Sequence, residues 1–227
     1  MNTEHVPLRI VVLTGAGISA ESGLGTYRGP AAGDDWSPEV MTAELRDDLP
    51  AAHRRRRRLQ QAVAEAAPNA AHRALAELER LTGVDLAVIT QNLDDLHERA
   101  GSHAVLHMHG RLDHIRHLGT GQVRPTAAGE QVDEQHWRPH IVGFGDRVLE
   151  MDRIRGLLAA ADLFVAIGTS LTVPPAANFP QAAAALGART LELNLAPTQM
   201  TPMFDEAHHG PATVLLPALV AHLRAIL

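Results

Sequence analysis

The chain has 227 residues, 45% of them hydrophobic, enough for one large domain or for one domain with a small insertion. A formal net charge of −6 and a pI of about 6.1 disfavour broad binding to nucleic acids or anionic membranes, because both require a basic surface. Cysteine is absent, which excludes disulfides and thiolate metal sites, and no apolar stretch is long enough to cross a membrane. We therefore expect a soluble, cytoplasmic protein without a targeting leader.

Short apolar runs rich in Val, Ile and Leu recur along the chain, a pattern typical of strands buried on both faces of a parallel sheet. The predicted strands are Leu8–Thr14, Leu86–Thr90, Ala104–Met108, Leu163–Gly168, Thr190–Leu195 and Thr213–Leu216. The predicted helices are Ala70–Leu81, Asp152–Ala160, Pro174–Leu186 and Pro217–Leu227. Strands that alternate with helices indicate an α/β fold, a Rossmann-like doubly wound parallel sheet.

Two segments interrupt this alternation and predict a smaller lobe formed by two insertions. We assign residues 1–30, 68–112 and 140–227 to the sheet domain, and residues 31–67 and 113–139 to the lobe. The first insertion contains a predicted helix through HRRRRRLQQAVAEA. Its arginines, Arg54–Arg58, would spread around the helix, which favours a solvated helix over a nucleic-acid-binding stripe.

A glycine-rich loop follows the first strand. Residues 15–20, GAGISA, fit the G-x-G-x-x-[G/A] pattern, in which backbone amides approach a pyrophosphate at the start of a helix. An ordinary dehydrogenase would have a second strand with an acidic end about twenty residues later, and here GTYRGPAAGDDW stands in that place. The loop is therefore predicted to hold a dinucleotide in another manner.

Three further clusters lie at predicted strand ends, where ligands bind in such sheets. Gln91, Asn92 and Asp94 follow one strand, and their alternative role is to cap the next helix. His109 ends another strand beside a glycine, a place that suits a general base, although a lone histidine is more often structural. The fourth cluster, AIGTSLTVPPA at residues 166–176, suits a phosphate or ribose contact as well as it suits a capped helix start.

Taken together, GAGISAESGLGTYR, TQNLDDLHERAG, HMHG, RPHIVGFGD, AIGTSLTVPPAA, LELNL and GPA resemble the sirtuin family of NAD-dependent protein deacylases, most closely its bacterial CobB type. The motifs run nearly end to end and in the family's order. The resemblance implies that the larger domain binds NAD, and that acyl-lysine of a protein or peptide enters between the two lobes. It also implies that one chain builds the whole cleft, so we expect a monomer.

The resemblance assigns roles to individual residues. Residues implied to bind NAD are Gly15, Ala16, Gly17, Ser19, Glu21, Thr26, Tyr27, Arg28, Gln91, Asn92, Asp94, Gly168, Thr169, Ser170, Asn194 and Ala212. Asn92 and Asp94 would also shape the nicotinamide pocket, and His109 would be the general base. Residues implied to bind substrate are Ala20, Arg55, Val142, Gly143 and Phe144. The implied products are free lysine, nicotinamide and O-acyl-ADP-ribose.

The sequence departs from the family at the structural zinc, which most members hold with four cysteines. His117 stands where the first cysteine would fall, and His114, His136 and His140 lie nearby. Structural zinc is mostly bound by cysteine, so we predict a zinc-free lobe held by apolar packing that includes Trp137, with a histidine-only site as the alternative.

The acyl preference forms a second departure. Ala20 matches the small residue that leaves room for longer acyl chains in relatives that prefer acidic acyl groups. Of the Tyr-x-x-Arg pair that binds the acyl carboxylate in those relatives, Arg55 is kept and Ala52 replaces the tyrosine. A single guanidinium can still bind a carboxylate, so we predict deacetylation with weakened desuccinylation.

Two other functions use the same NAD pocket. ADP-ribosyl transfer or NAD hydrolysis is the first alternative, and a non-catalytic NAD sensor is the second. Asn92, Asp94 and His109 are all present, which disfavours the sensor because a sensor does not need a base.

Overall fold

The computed structural model describes residues 6–26 and 37–227. Its strands, numbered along the chain, are β1 (Leu8–Thr14), β2 (Val84–Thr90), β3 (Val105–His107), β4 (Gly110–His117), β5 (Val123–Pro125), β6 (Trp137–Ile141), β7 (Leu163–Ile167), β8 (Arg189–Asn194) and β9 (Glu206–His209). A parallel sheet has the order β3-β2-β1-β7-β8-β9, and an antiparallel sheet has the order β5-β4-β6. The predicted doubly wound α/β fold is confirmed.

The helices are α1 (Gly17–Ala20), α2 (Pro38–Asp47), α3 (Leu49–Glu65), α4 (Ala70–Leu78), α5 (Leu96–Ala100), α6 (Met151–Ala160), α7 (Phe179–Ala185) and α8 (Ala212–Ile226). Side-chain caps begin three of them. Ser37 accepts from the Val40 amide before α2, and Asp48 accepts from the Ala51 amide before α3. Asn69 caps α4, and such caps satisfy amides that have no partner within the helix.

Alternate residues of β1 face opposite sides of the parallel sheet, as a two-residue period requires. Ile10 and Val12 belong to a core shared with α4 and α8, whereas Val11 and Leu13 belong to a core shared with α6 and α7. Helices therefore cover both faces, which explains why the strands read as continuous apolar runs.

The predicted strand at Thr213–Leu216 is wrong, because those residues lie in α8. The apolar run is short, and Leu216, Val220 and Leu223 bury one face of the helix at helical spacing. The sixth strand is instead β9, Glu206–His209, whose polar sequence EAHH gives no apolar signal. The predicted helix Pro174–Leu186 is shorter, since a 3₁₀ turn at Ala176–Asn178 precedes α7.

A third core joins α2 and α3 to the antiparallel sheet. It includes Met41, Leu59, Leu112 and Ile141. The expectation of a solvated arginine helix is wrong in part, because Arg55 and Arg56 are buried, with exposures of 6% and 1%. Within the described ranges, no helix is both long and apolar enough to span a membrane.

Candidate active site

A cleft of about 700 Å³ opens at the carboxyl ends of the parallel strands. The chain progresses from β1 outward to β2 and β3 on one side, and from β7 outward to β8 and β9 on the other. The cleft therefore lies at the topological switch point between β1 and β7, where open α/β sheets bind ligands. Its walls come from the loops after β1, β7 and β8, and from the end of β6.

Three glycines bring the loops after β1 and β7 into backbone contact. A Cβ atom built on Gly15 would lie 2.7 Å from the Gly168 carbonyl oxygen, and one on Gly17 would lie 2.7 Å from the Gly168 Cα. Gly168 itself has φ of +57°, and its added Cβ would lie 2.5 Å from the Ile18 amide nitrogen. We call Gly15, Gly17 and Gly168 the glycine cradle. The absence of side chains lets the two loops bond directly, because the Gly17 amide donates to the Gly168 carbonyl at 2.9 Å and the Gly15 amide donates to the Ile167 carbonyl at 3.0 Å.

The structure brings most of the predicted site residues to this cleft. Those that line it are Gly15, Ala16, Gly17, Ala20, Glu21, Thr26, Gln91, His109, Val142, Gly143, Phe144, Gly168, Thr169, Ser170, Asn194 and Ala212. Ser19, Asn92 and Asp94 are buried immediately behind the lining. Tyr27 and Arg28 lie outside the described residues.

A buried polar network supports the floor of the cleft. The Ser19 hydroxyl donates to Asp94 Oδ2 at 3.0 Å, and Asn92 Nδ2 lies 3.2 Å from both Ser19 Oγ and the Gly15 carbonyl. Asp94 Oδ1 accepts from the amide of Leu96, the first residue of α5, at 3.1 Å, whereas Asp95 at the N-cap makes no side-chain cap bond. Asp94 therefore supports the start of α5 without being its N-cap, and its ligand-binding role stays a prediction.

Asn92 Oδ1 is buried and has no hydrogen-bond partner among the described residues. Burial raises the pKa of the Asp94 carboxyl, although the Leu96 amide and the Ser19 hydroxyl act in the opposite direction. An unsatisfied amide oxygen and a carboxyl in a low-dielectric site are suited to a ligand that offers an amide or a positive charge. The nicotinamide group of NAD offers both, so these residues fit the group.

Two buried histidines behind the network did not emerge from the sequence. His72 Nδ1 accepts from the Asn69 amide at 3.3 Å, so its Nε2 carries the proton and points to Ser19 Oγ at 3.4 Å. His97 Nε2 contacts Thr14 Oγ1 at 3.0 Å, and the two imidazole rings meet edge to face at 5.0 Å. Burial lowers the pKa of His72 to about 4 and that of His97 to about 3. The sequence offered one signal for this pair, because His72 occupies a position on the apolar, buried face of helix α4.

His109 stands on the cleft wall just beyond β3. Its Nδ1 lies 3.1 Å from the Gln91 carbonyl oxygen, which can only accept. Nδ1 therefore carries the proton, and Nε2 has its lone pair available. Burial lowers the pKa of His109, while the Gln91 carbonyl acts to raise it. The result is a neutral imidazole in one tautomer, as a general base requires.

Gln91 and Asn194 tie the neighbouring loops together. Gln91 Nε2 donates to Thr169 Oγ1 at 2.9 Å, and Asn194 Nδ2 donates to the Thr169 carbonyl at 2.9 Å. At the rim of the cleft, Glu21 accepts from the Thr213 amide at the start of α8. The side chains predicted to hold a dinucleotide thus also fix the backbone around the cleft.

The loop Val142–Asp146 forms the opposite wall and is fastened to helix α2. Thr42 Oγ1 accepts from the Phe144 amide at 2.6 Å, and Arg46 Nη2 donates to the Phe144 carbonyl at 3.0 Å. Arg46 also pairs with Asp146 at 2.9 Å. A Cβ on Gly143 would lie 3.2 Å from Thr42 Cγ2, so a larger residue there would press on α2.

Arg55 does not line the cleft. Its Nε and Nη2 donate to the two carboxylate oxygens of Glu44 at 2.6 and 3.0 Å, in a buried ion pair. The predicted use of Arg55 as a carboxylate clamp would have to compete with Glu44. Ala52, the residue in place of the tyrosine, packs in the core of the small lobe.

The histidines of the small lobe make contacts of their own. His117 stacks on His136 at 6.2 Å and meets Trp137 edge to face at 5.0 Å. His114 and His136 bond to Asp113 and Asp133 respectively, each at 2.7 Å. No group of three or more His, Asp or Glu side chains suited to a metal ion occurs in residues 6–26 and 37–227.

Comparison with known proteins decides the family. A model of the Sir2 family matches residues 15–175. The chain belongs to the Sir2, or sirtuin, family. The sequence predictions of this family and of a Rossmann-like α/β fold are confirmed.

Relatives in the Sir2 family match over nearly the whole chain. An NAD-dependent protein deacylase of Pasteurella multocida is 46% identical, covering 94% of this chain and 97% of the relative. An NAD-dependent protein deacylase of Escherichia coli strain K12 is 45% identical, covering 95% of this chain and 82% of the relative. A solved Sir2 homologue–NAD complex superposes with a TM-score of 0.85 at 35% identity, covering 96% of this chain and 90% of that one.

Proposed function

We propose that the protein is an NAD-dependent protein-lysine deacylase, chiefly a deacetylase, that releases nicotinamide and O-acyl-ADP-ribose. The observation that carries the proposal is the pairing of His109 with the Asn92–Ser19–Asp94 network on one cleft. A reaction requires a neutral base such as His109 and benefits from a buried carboxyl such as Asp94 beside the bound ligand. A protein that only bound NAD would need neither group. The printed names of the relatives agree with this activity.

Each part of the cleft has a role in the proposed reaction. The glycine cradle would hold the phosphates, Gln91 and Asn194 would hold the riboses, and Asp94 with Asn92 would hold the nicotinamide amide. When bound, NAD supplies the nicotinamide–ribose bond, whose cleavage drives removal of the acyl group. His109 Nε2 accepts the proton of a hydroxyl at the cleft wall, and the Gln91 carbonyl stabilises the imidazolium that forms.

The acyl-lysine enters along the loop after β6. Val142, Gly143 and Phe144 would pair with the substrate backbone as an added strand, and Ala20 would leave room beside the acyl group. A solved Sir2 complex with a p53 peptide and NAD is 28% identical to this chain, with a TM-score of 0.78. We propose peptide and protein substrates for this chain on the same basis. The zinc-free lobe, the monomeric state and the cytoplasmic location stay predictions.

The test is turnover of acetyl-lysine and succinyl-lysine peptides by the purified protein with NAD. Mass spectrometry follows free lysine peptide and O-acyl-ADP-ribose, and metal content is measured on the same sample. His109→Gln should lower kcat by at least about 100-fold, the usual contribution of a general base, with NAD binding retained. NAD-dependent nicotinamide release without peptide turnover would replace the proposal with ADP-ribosyl transfer or NAD hydrolysis.

A further inference from the structure

Two arginines without an ion pair among the described residues lie side by side on one face of the small sheet. Arg116 of β4 and Arg138 of β6 are directly opposite each other in the antiparallel register. Side chains in such positions have Cβ atoms about 4.5–5.5 Å apart, and like charges there repel. A protein with an overall formal charge of −6 thus places two positive charges together.

Neither arginine forms an ion pair within the described part of the chain, although the charge of Asp146 acts on Arg138. Arg116 has no hydrogen bond or ion pair there, and Arg138 reaches only the Ile141 carbonyl, at 3.5 Å, while its Nε is buried without a partner. The nearby carboxylates have other partners. Asp113 binds Arg111, at 2.8 Å, and His114, and Asp146 binds Arg46 at 2.9 Å.

His140 lies on the same face of the sheet, and its pKa responds to the positive charges around it. Burial, followed by the charges of Arg116, His114 and Arg138, lowers the pKa of His140 to about 4. His140 is therefore neutral near pH 7 and adds no repulsion. The face carries a net positive charge from its arginines, and both are only half-buried. We call Arg116 and Arg138 the arginine pair.

The position of the arginine pair relates it to the cleft. Strand β6 ends at Ile141, and the chain continues directly into Val142 and Phe144, which line the cleft. Arg138 lies four residues before Val142, a distance of about 13 Å at roughly 3.3 Å per residue of extended chain. A peptide that pairs with the wall and extends beyond the acyl-lysine would pass the arginine pair.

We infer that the arginine pair selects acyl-lysine segments that carry acidic residues on one side of the modified lysine. The preference rests on the proposed function, since it requires the substrate to lie along residues 142–144. Guanidinium groups bind carboxylates in paired hydrogen bonds, and an acidic side chain would supply the counter-charge that the fold omits. The rest of the protein surface is acidic and would repel the same peptide. This repulsion would favour the one alignment in which the acidic residues of the peptide meet the arginine pair.

The experiment uses four acetyl-lysine peptides with two glutamates, or two glutamines, either before or after the acetyl-lysine. We expect kcat/KM to be about tenfold higher for glutamates on one side at low ionic strength, and about twofold higher in 0.5 M salt. Equal values for glutamate and glutamine peptides on both sides would overturn the inference.

The double variant Arg116→Gln/Arg138→Gln should lose the preference while retaining turnover of the glutamine peptides. Relief of like-charge repulsion should leave its Tm unchanged or raised, which separates loss of recognition from loss of folding. Arg153→Gln, which removes an exposed charge from α6, is the matched control and should keep the preference. A preference that survives in the double variant would also overturn the inference.

Binding of the same peptides, labelled with a fluorophore and measured by anisotropy, separates the two proposals. Absence of turnover for all four peptides would contradict the proposed function. The ratio of Kd values for glutamate and glutamine peptides would still decide the preference, with about a tenfold ratio supporting it and a ratio of one opposing it.

Discussion

Around Gly168 the chain is held by backbone packed on backbone, whereas around helix α3 it is held by arginine side chains. In the glycine cradle no side chain separates the two loops. In the small lobe, Arg56 reaches Thr126 at 2.8 Å, Arg57 reaches Glu134 at 2.8 Å, and Arg55 reaches Glu44. The backbone contact in the cradle leaves no room for an added side chain. The small lobe is instead held by side-chain bonds of arginines, which another side chain of similar size could replace.

The largest expected effect comes from adding one methyl group to the cradle. Gly168→Ala places a Cβ 2.5 Å from the Ile18 amide nitrogen at a residue with positive φ, so the two loops must separate. We expect NAD-dependent turnover to fall by at least about 100-fold, since misplacement by about 1 Å has that cost. Gly156→Ala on α6, where an added Cβ meets open space, is the control. Normal NAD affinity in Gly168→Ala would contradict the account of the cradle.

Mild acid should weaken the packing beneath the cleft. Buried His72 and His97 have pKa values of about 4 and about 3, so the unfolded chain takes up protons near pH 6.5 that the folded chain excludes. Stability should therefore fall as pH drops below about 6.5, by about 2–4 kcal/mol between pH 7 and 5.

Urea unfolding at pH 7, 6 and 5 measures this loss. His97→Gln should flatten the dependence, and the exposed His222→Gln should not. In the lobe, burial raises the pKa of Asp113, but the bonds from Arg111 and His114 prevail and lower it to about 2. Its stabilising effect is lost only as pH falls from about 4 towards 2. An unchanged free energy of unfolding between pH 7 and 5 would contradict the protonation states of the two histidines.

Substitutions of the buried Arg56 can show whether its volume or its charge stabilises the lobe. Its Nη1 binds Thr126, but Nε and Nη2 are buried with no partner among residues 6–26 and 37–227. Arg56→Ala should lower the free energy of unfolding by about 2–4 kcal/mol, because it leaves a cavity. Arg56→Met, which fills the space, should be neutral within about 1 kcal/mol. Equal losses in both variants, by urea unfolding at pH 7, would show that the charge itself stabilises the lobe.

The smallest expected effect concerns the acyl group. Glu44→Gln removes the charge that holds Arg55 and makes its guanidinium more available to a substrate carboxylate. We expect the ratio of succinyl-lysine to acetyl-lysine turnover to rise about threefold, in line with one weak ion pair. Glu39→Gln, which lines the cleft but does not hold Arg55, is the matched control. A ratio that does not change would remove Arg55 from the proposed acyl contacts.

The same contrast governs what the sequence could predict. Strands β1 and β7 are buried on both faces, so their apolar runs identified them, and the glycines of the cradle stand in a local pattern. The small lobe has short strands with one buried face. In β4 and β6, buried apolar residues such as Ile115 and Pro139 stand between polar neighbours. The sequence therefore contains no continuous apolar run that would predict these two strands.

Contacts between distant segments also escaped the sequence. Nothing near Arg55 indicates that Glu44, on another helix, would pair with it. The burial of His72 and His97 depends on how α4 and α5 pack beneath the loop after β1. Thr213–Leu216 failed for a related reason, because a short apolar run fits a buried strand and a buried helix equally well.

The glycine cradle also bears on the time at which the site forms during synthesis. Gly15 and Gly17 leave the ribosome early, but their contact surface is Gly168, which follows much later in the chain. Until then the loop after β1 has no neighbour to hold its amides in place, and long-range contacts of this kind are slow to close. A nascent chain that stops before β7 would therefore carry the full glycine motif and still be unable to grip a dinucleotide.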